Sequence, residues 1–377
     1  MDYWLIISIS VFLISLILAG IIIPQILLIA FRKNLFDVPD ERKIHKGVVP
    51  RLGGIAFMPS ILFGIACILG VSLSFHEGII SEEFADYGMQ LAFGSCALML
   101  MFLVGMADDL IGVRYRAKFL IQIVSALFIV CGGFTLCNLH GFLGIYDIPE
   151  IGSWLLTILV VVYITNAINL IDGIDGLASG LSAVALMFYG IVFYMVDMYV
   201  YAIVSFATLG TLIPFFYYNV FGDPSRQKKI FMGDTGALTI GIIIAMLSIG
   251  LNKAPEINRY EDINPLVVAF SPLIIPCFDV LRVYLHRIRF HRNPFLPDKC
   301  HIHHKFLMLG IPQKTTMVLI LMLSILFVFI NLILSPLMNV TFLVIIDLAI
   351  YFVGNIILTN AIKRYQARNH IIEDCYQ

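Results

Sequence analysis

Asp, Asn and His residues gather in four short clusters, each at the edge of an apolar segment. They are Asp108-Asp109, the run from Asn166 to Asp175, Gly233-Asp234, and His301-Ile302-His303-His304. Ionisable groups beside membrane-length apolar runs cost free energy unless they bind something. Carboxylates and imidazoles converging at a membrane surface suit metal-assisted chemistry on a charged group attached to a lipid.

Each cluster has a plainer reading beside the chemical one. Asp108 and Asp109 close the third apolar run and are followed by Arg114, Arg116 and Lys118. A solvated helix end with counter-charges is the simple account. Two acids at a helix C-terminus oppose the macrodipole, however, and a metal or a proton-transfer role supplies the missing reason. Asn166, Asn169, Asp172 and Asp175 recur every third position. On a helix that spacing lays them along one face. Interhelical hydrogen bonding explains amides better than it explains two adjacent acids. Gly173 and Gly176 then loosen the backbone as the stripe leaves the membrane. Asp234 sits between glycines before the eighth apolar run, where it reads either as a ligand or as an N-cap. The His301–His304 run packs its imidazoles too tightly for a wrapped zinc site. With Arg287, Arg289, Arg292, Lys299 and Lys305 around it, an anion-binding loop fits better. Lys46 and Arg51 bracket the end of the first basic loop, where ordinary positive-inside charge is the default. Asp279 and Arg282 in the ninth run are spaced for a structural ion pair.

The elements that must carry these clusters are membrane helices. Of the 377 residues, 60% are hydrophobic and only 13% charged, against about 25% charged in a soluble domain. The chain therefore reads as an all-α polytopic membrane protein. Eleven spans are expected, at about 3–31, 52–74, 89–107, 117–136, 151–169, 177–196, 199–219, 235–251, 264–286, 315–335 and 340–360. The first run is too long, and lacks the basic leader, for a cleaved signal peptide. With these spans every Lys and Arg except Lys253 and Arg259 falls on one face. The positive-inside rule makes that face cytoplasmic, with the N-terminus outside and the C-terminus inside. The longest non-apolar stretch, about 287–314, has room for a short strand or an amphipathic piece. Cys67, Cys96, Cys131 and Cys277 lie in apolar runs and read as buried thiols, with no disulfide framework.

The segments Lys43–Gly54, Asp108-Asp109, Asn166–Leu177, Phe231–Gly236 and Pro297–His304 carry a resemblance. Together they resemble the polyprenyl-phosphate N-acetylhexosamine-1-phosphate transferases, in the bacterial branch that makes undecaprenyl-pyrophosphate-GlcNAc. Phospho-MurNAc-pentapeptide translocase is a more distant relative, with three consecutive His where this chain has His-Ile-His-His. Two departures stand out. Gly112 occupies the position of a third acidic residue, and the stretch from Asn219 to Phe231 is longer than usual.

The resemblance implies one integral membrane transferase domain over residues 1–377. Its active-site face would be built from cytoplasmic loops 32–51, 108–116, 170–177, 220–234 and 287–314. The substrates would be a UDP-N-acetylhexosamine and undecaprenyl phosphate, and UMP the leaving product. It implies Mg²⁺ or Mn²⁺ as cofactor, with Asp234 and Asp109 as metal residues and Asp108 and Asp109 as the catalytic pair. Asp108 would take the proton of the lipid phosphate. Lys46, Asn166, Asn169, Asp172, Asp175, Asn219, His301, His303 and His304 would contact the substrates. Direct attack by the lipid phosphate is favoured over a phospho-carboxylate intermediate, because that phosphate is already a charged oxygen nucleophile at neutral pH. The other expected partner is the lipid bilayer, with no nucleic acid, and a homodimer stays open. The location would be the bacterial inner membrane, with the site facing the cytoplasm. The GalNAc donor or a modified sugar remains an alternative to GlcNAc. A nucleotide-sugar or lipid transporter is the alternative of another class, although transporters place polar sites near the bilayer midplane rather than at span ends.

Overall fold

The computed structural model describes residues 3–35, 49–75, 84, 86–254, 263–291 and 300–369. Lys46 lies outside the described residues. The helices are α1 (Tyr3–Lys33), α2 (Phe57–Phe75), α3 (Gly88–Ile111), α4 (Tyr115–Cys131), α5 (Glu150–Ile171), α6 (Leu177–Met195) and α7 (Tyr199–Val220). They continue as α8 (Gly233–Asn252), α9 (Pro265–Phe270), α10 (Ile274–Arg289), α11 (Ile302–Met308), α12 (Gln313–Leu334) and α13 (Val340–Asn369). A hairpin of β1 (Asn138–Phe142) and β2 (Ile145–Asp147) joins α4 to α5.

Among the described residues, ten helical segments are long and apolar enough to cross a membrane, with α9 and α10 counted as one. The remaining expected span is α4, whose 17 residues reach only about 26 Å. It stops at Cys131 instead of 136 because Gly132 and Gly133 break the helix, Gly133 at φ 87°. The fold is an all-α polytopic membrane bundle. Large apolar side chains such as Ile17, Leu155, Leu159, Met322, Ile333 and Phe342 stay exposed on its outside. In a lipid solvent an apolar exterior has no reason to be hidden. The same physics corrects the reading of the thiols. Cys96 and Cys131 are exposed on helix surfaces, and Cys67 and Cys277 are half-buried.

Helix α8 is the axis of the bundle. Seventeen of its residues, from Thr235 through Asn252, are buried, and α3, α5 and α9 pack on it. Small residues let it be crowded. A Cβ on Gly54 would fall 2.0 Å from the backbone N of Gly236, and one on Gly105 would fall 2.5 Å from the Cα of Thr235. Backbone pairing adds to this. Gly53 N donates to Phe231 O, Gly54 N to Met232 O and Phe231 N to Pro50 O. The start of α2, the end of α3 and the start of α8 are thereby drawn to one point.

Strand content differs from expectation. The stretch 287–314 holds the short helix α11 among its described residues, whereas the strands are 138–147. They pair antiparallel, Phe142 opposite Ile145. Leu143 and Gly144 form the two-residue turn with φ 54° and 74°, matching the twist of a tight hairpin. This hairpin docks on the C-terminal end of α8, where Asn252 Nδ2 donates to Asn138 O. Trp4 stacks on Tyr199 at 4.6 Å, so α1 begins at the same end as α7 and runs beside it. The ninth expected span is not one helix. A 3₁₀ turn at Ser271–Leu273 separates α9 from α10, where Pro272 and Pro276 cannot donate backbone hydrogen bonds.

Candidate functional site

The four clusters gather at the N-terminal end of α8, opposite the hairpin. Asp108 and Asp109 lie in the last turn of α3 rather than beyond it. Gly112 ends that helix at φ 73°, a backbone that an acidic residue would strain. Asp108 Oδ1 accepts Val113 N at 2.6 Å. Its Oδ2 accepts Lys118 Nζ at 2.7 Å, and the same ammonium donates to Asp234 Oδ2 at 2.7 Å. One lysine thus sits between two carboxylates from different helices.

Asp109 does different work. Its Oδ1 accepts Asp234 N at 2.8 Å, and its Oδ2 accepts Thr235 N at 2.9 Å and Thr235 Oγ1 at 2.5 Å. It caps the N-terminus of α8 from another helix, satisfying the free amides there and countering the helix dipole. The N-cap reading considered for Asp234 therefore passes to Asp109. Asp234 is left in the first turn of α8 with its side chain turned to Lys118.

The polar stripe is split in two. Helix α5 ends at Ile171, so Asn166 and Asn169 share a helix while Asp172 and Asp175 lie on the turn that follows. Gly176, at φ 78°, opens α6. Asn166 spends its amide on protein. Nδ2 donates to Gln122 Oε1 at 2.7 Å and to Val162 O at 2.8 Å, and Oδ1 accepts Gln122 Nε2 at 3.2 Å. Asn219 likewise acts as a clamp, accepting from Gly176 N at 2.6 Å and donating to Ile230 O at 2.9 Å. Asn169 is half-buried at the end of the stripe. Asp175 holds Lys229 at 2.5 Å. Asp172 is exposed on the turn between α5 and α6. The surrounding protein, with Asp175 and Asp234 nearby, pushes its carboxyl up to about 7, against the pull of Arg51. An open carboxylate kept uncomfortable by other acids is poised for a cation.

The His turn packs against the turn that carries Asp172. Asp279 is fully buried, and Arg282 Nη2 donates to it at 2.9 Å, as the sequence spacing implies. It also takes His301 Nδ1 at 2.7 Å, Ile302 N at 3.0 Å and Tyr351 Oη at 3.0 Å. His303 is 1% exposed, and neither ring nitrogen has a hydrogen-bond partner. Burial, reinforced by His304, drives its pKa down to about 3. Its ring lies parallel to that of His301 at 5.8 Å and 4.2 Å from that of His304. A Cβ on Gly173 would fall 2.1 Å from His303 Nε2, so the glycine is what lets the two loops touch.

Three residues with a part in the site escaped the sequence reading: Lys118 as the bridge, Gln122 as the partner of Asn166, and Asp279 as the seat of the His turn. Lys118 was visible only as one counter-charge among several. An Asp inside a span just before a His run was the available signal for Asp279.

The donor set suits a hard cation. Asp108, Asp234 and Asp172 offer oxygens. Among the described residues no group of three or more His, Cys, Asp or Glu side chains could enclose a metal by itself. Mg²⁺ takes one or two carboxylates and fills its shell with water and phosphate, so oxygens of this kind would suit it.

The bundle and the acids gathered at the N-terminal end of α8 define a polytopic membrane protein with a polar site at one end of its helices. Residues 91–252 match the family described as glycosyl transferase family 4. The chain is 30% identical over 325 residues to a Bacillus subtilis protein named "Probable undecaprenyl-phosphate N-acetylglucosaminyl 1-phosphate transferase", covering 84% of this chain and 82% of that one. It is 31% identical over 295 residues to the undecaprenyl-phosphate alpha-N-acetylglucosaminyl 1-phosphate transferase of Yersinia pestis, covering 78% and 74%. It is 29% identical over 312 residues to the decaprenyl-phosphate N-acetylglucosaminephosphotransferase of Mycobacterium leprae, covering 78% and 75%. The chain belongs to this family of polyprenyl-phosphate N-acetylhexosamine-1-phosphate transferases.

Proposed function

We propose that the protein transfers N-acetylglucosamine-1-phosphate from UDP-GlcNAc to undecaprenyl phosphate and releases UMP. The observation that carries this reading is the meeting of Asp108 and Asp234 on Lys118 at one end of the bundle, with Asp172 on the neighbouring turn near Asp234. The relatives' names supply the lipid acceptor and the sugar phosphate, and the UDP donor comes from the resemblance. The distribution of Lys and Arg supports a cytoplasmic site, with the N-terminus outside, in a bacterial inner membrane.

The reaction brings an anionic lipid phosphate to an anionic diphosphate, so repulsion is the barrier to overcome. A bound Mg²⁺, held by Asp234 and Asp172 on their open sides, would neutralise phosphate oxygens and the leaving UMP. Lys118 holds Asp108 and Asp234 together through one ammonium. Asp108 accepts the proton of the lipid phosphate, whose second pKa near ~6 demands only a weak base. Asp109 maintains the platform by capping α8. His301 and His304 face the diphosphate or sugar from the turn seated on Asp279, and Asn169 and Asp175 border the nucleotide.

Purified protein in detergent, given Mg²⁺, undecaprenyl phosphate and a panel of UDP-sugars, tests this directly. UMP and a lipid-linked sugar should appear with UDP-GlcNAc. Faster turnover of UDP-GalNAc would move the sugar assignment, and no UMP from any donor would end the enzyme reading. A transporter would release nothing in detergent, where no compartment exists.

A further inference from the structure

Asp279 stands apart from the acidic clusters. It lies within a membrane span, outside the 91–252 family match, with 0% of its surface exposed. A buried carboxylate survives there only if donors surround it. Four do. Arg282 Nη2 and Tyr351 Oη bind Oδ1 from α10 and α13, Ile302 N binds Oδ1 from the start of α11, and His301 Nδ1 binds Oδ2. Arg282 also donates to Cys300 O, so the same group ties down both sides of His301.

This arrangement decides more than the path of the chain. A carboxylate accepts and cannot donate, so the His301 nitrogen that faces it must carry the proton. The neutral ring is then forced into the Nδ1–H form, with Nε2 as its basic atom. The parallel ring of His303 and the contact of His303 with Gly173 fix the angle at which His301 is presented beside the Asp172–Gly176 turn. We propose that Asp279 is a positioning residue that sets the tautomer and aim of His301, presenting Nε2 as the one atom with which this ring meets the phosphates of the substrate. The inference rests on the proposed reaction for its kinetic consequence, but not for the tautomer.

The tautomer can be read in the unmodified protein. ¹⁵N-histidine labelling in detergent, with the His301 signals assigned by His301→Gln, should show a protonated Nδ1 and an unprotonated Nε2. The opposite pattern overturns the proposal whatever the enzyme catalyses. Asp279→Asn supplies the kinetic arm, because its amide NH₂ can donate to Nδ1 and reverse the tautomer. With UDP-GlcNAc, kcat should fall by about 10–100-fold, the scale for partners standing behind a functional His. KM should change little, and Asp279→Glu should recover part of the rate. Tyr351→Phe removes a donor from the same carboxylate without touching His301, so it should share any loss of thermal stability while keeping the tautomer and most of kcat. Equal kinetic losses in Asp279→Asn and Tyr351→Phe, in proportion to their losses of stability, would reduce Asp279 to a structural pair and overturn the proposal. Absence of UMP release from the wild-type protein would count against the proposed reaction, leaving the tautomer measurement to decide this inference alone.

Discussion

Replacing Lys118 with Met would test the centre of the site, because one ammonium holds two carboxylates from different helices. The side chains of Lys118, Asp108 and Asp234 are 18%, 15% and 24% exposed, so these are half-buried, charge-assisted contacts rather than surface pairs. Each such bond is worth about 1.5–3 kcal/mol, and water entering the cleft returns part of it. A net loss of about 2–4 kcal/mol remains. In a chain of 377 residues each kcal/mol moves the unfolding midpoint by roughly 1–2 °C, so Lys118→Met should melt about 3–5 °C lower in chelator. A divalent cation can then take the vacated position. At a hundredfold excess over its Kd it returns about 2.7 kcal/mol, so Mg²⁺ should restore most of the lost midpoint. The wild-type protein, whose lysine competes for the same oxygens, should respond less. The measurement is thermal unfolding in detergent with and without Mg²⁺, for both proteins. Identical midpoints in chelator, or identical Mg²⁺ responses, would refute the claim that Lys118 neutralises carboxylates that would also take the cation.

Activity should require Mg²⁺ or Mn²⁺ and vanish with EDTA. Asp234→Asn should lower kcat by a factor on the order of 10², the scale of losing a charge-stabilising group, and near-normal turnover would remove Asp234 from the site. Asp172, raised to about 7, binds a proton more readily folded than unfolded, so it weakens the empty protein as pH rises from about 4 to 7. Asp172→Asn should therefore raise the melting midpoint at pH 8, change it little at pH 4, and depress activity at both sugar and metal saturation. Opposite or pH-independent shifts in thermal unfolding would contradict its strained environment. For topology, an impermeant thiol reagent on intact cells should modify exposed Cys137 but not a Cys introduced as Ser225→Cys in the Pro224–Arg226 turn. Labelling in the reverse order would invert the orientation. Cys300 is unsuitable for that experiment because it is 1% exposed.

Much of this protein was decided by local chemistry that a sequence displays. Apolar runs of bilayer length can satisfy their backbone only as helices, which is why ten of the eleven expected spans reappear among the described residues while α4 falls short, and Gly112, Gly133 and Gly176 mark breaks between helices. The polar clusters were visible because acids, amides and imidazoles beside lipid-facing helices are expensive. What each polar group does was settled only by the packed bundle. Asp108 and Asp109 are adjacent and chemically identical, yet the first meets Lys118 and the second caps α8. The difference is that α4 brings Lys118 to the first while α8 brings its own N-terminus to the second, and that second approach depends on the close glycine contacts at Gly54, Gly105 and Gly236. Asn166 and Asp172 look like one helical stripe until α5 ends between them, giving the amide to Gln122 and the carboxylate to the cleft. Asp279 and Arg282 are a local pair in sequence. Helices α11 and α13 add His301, Ile302 and Tyr351, 22 to 72 residues away, and turn that pair into the seat of the His turn. Residue type and spacing determine which elements form and where charge is costly. Only tertiary packing decides which donor reaches which acceptor, because those partners come from segments whose approach no local propensity encodes.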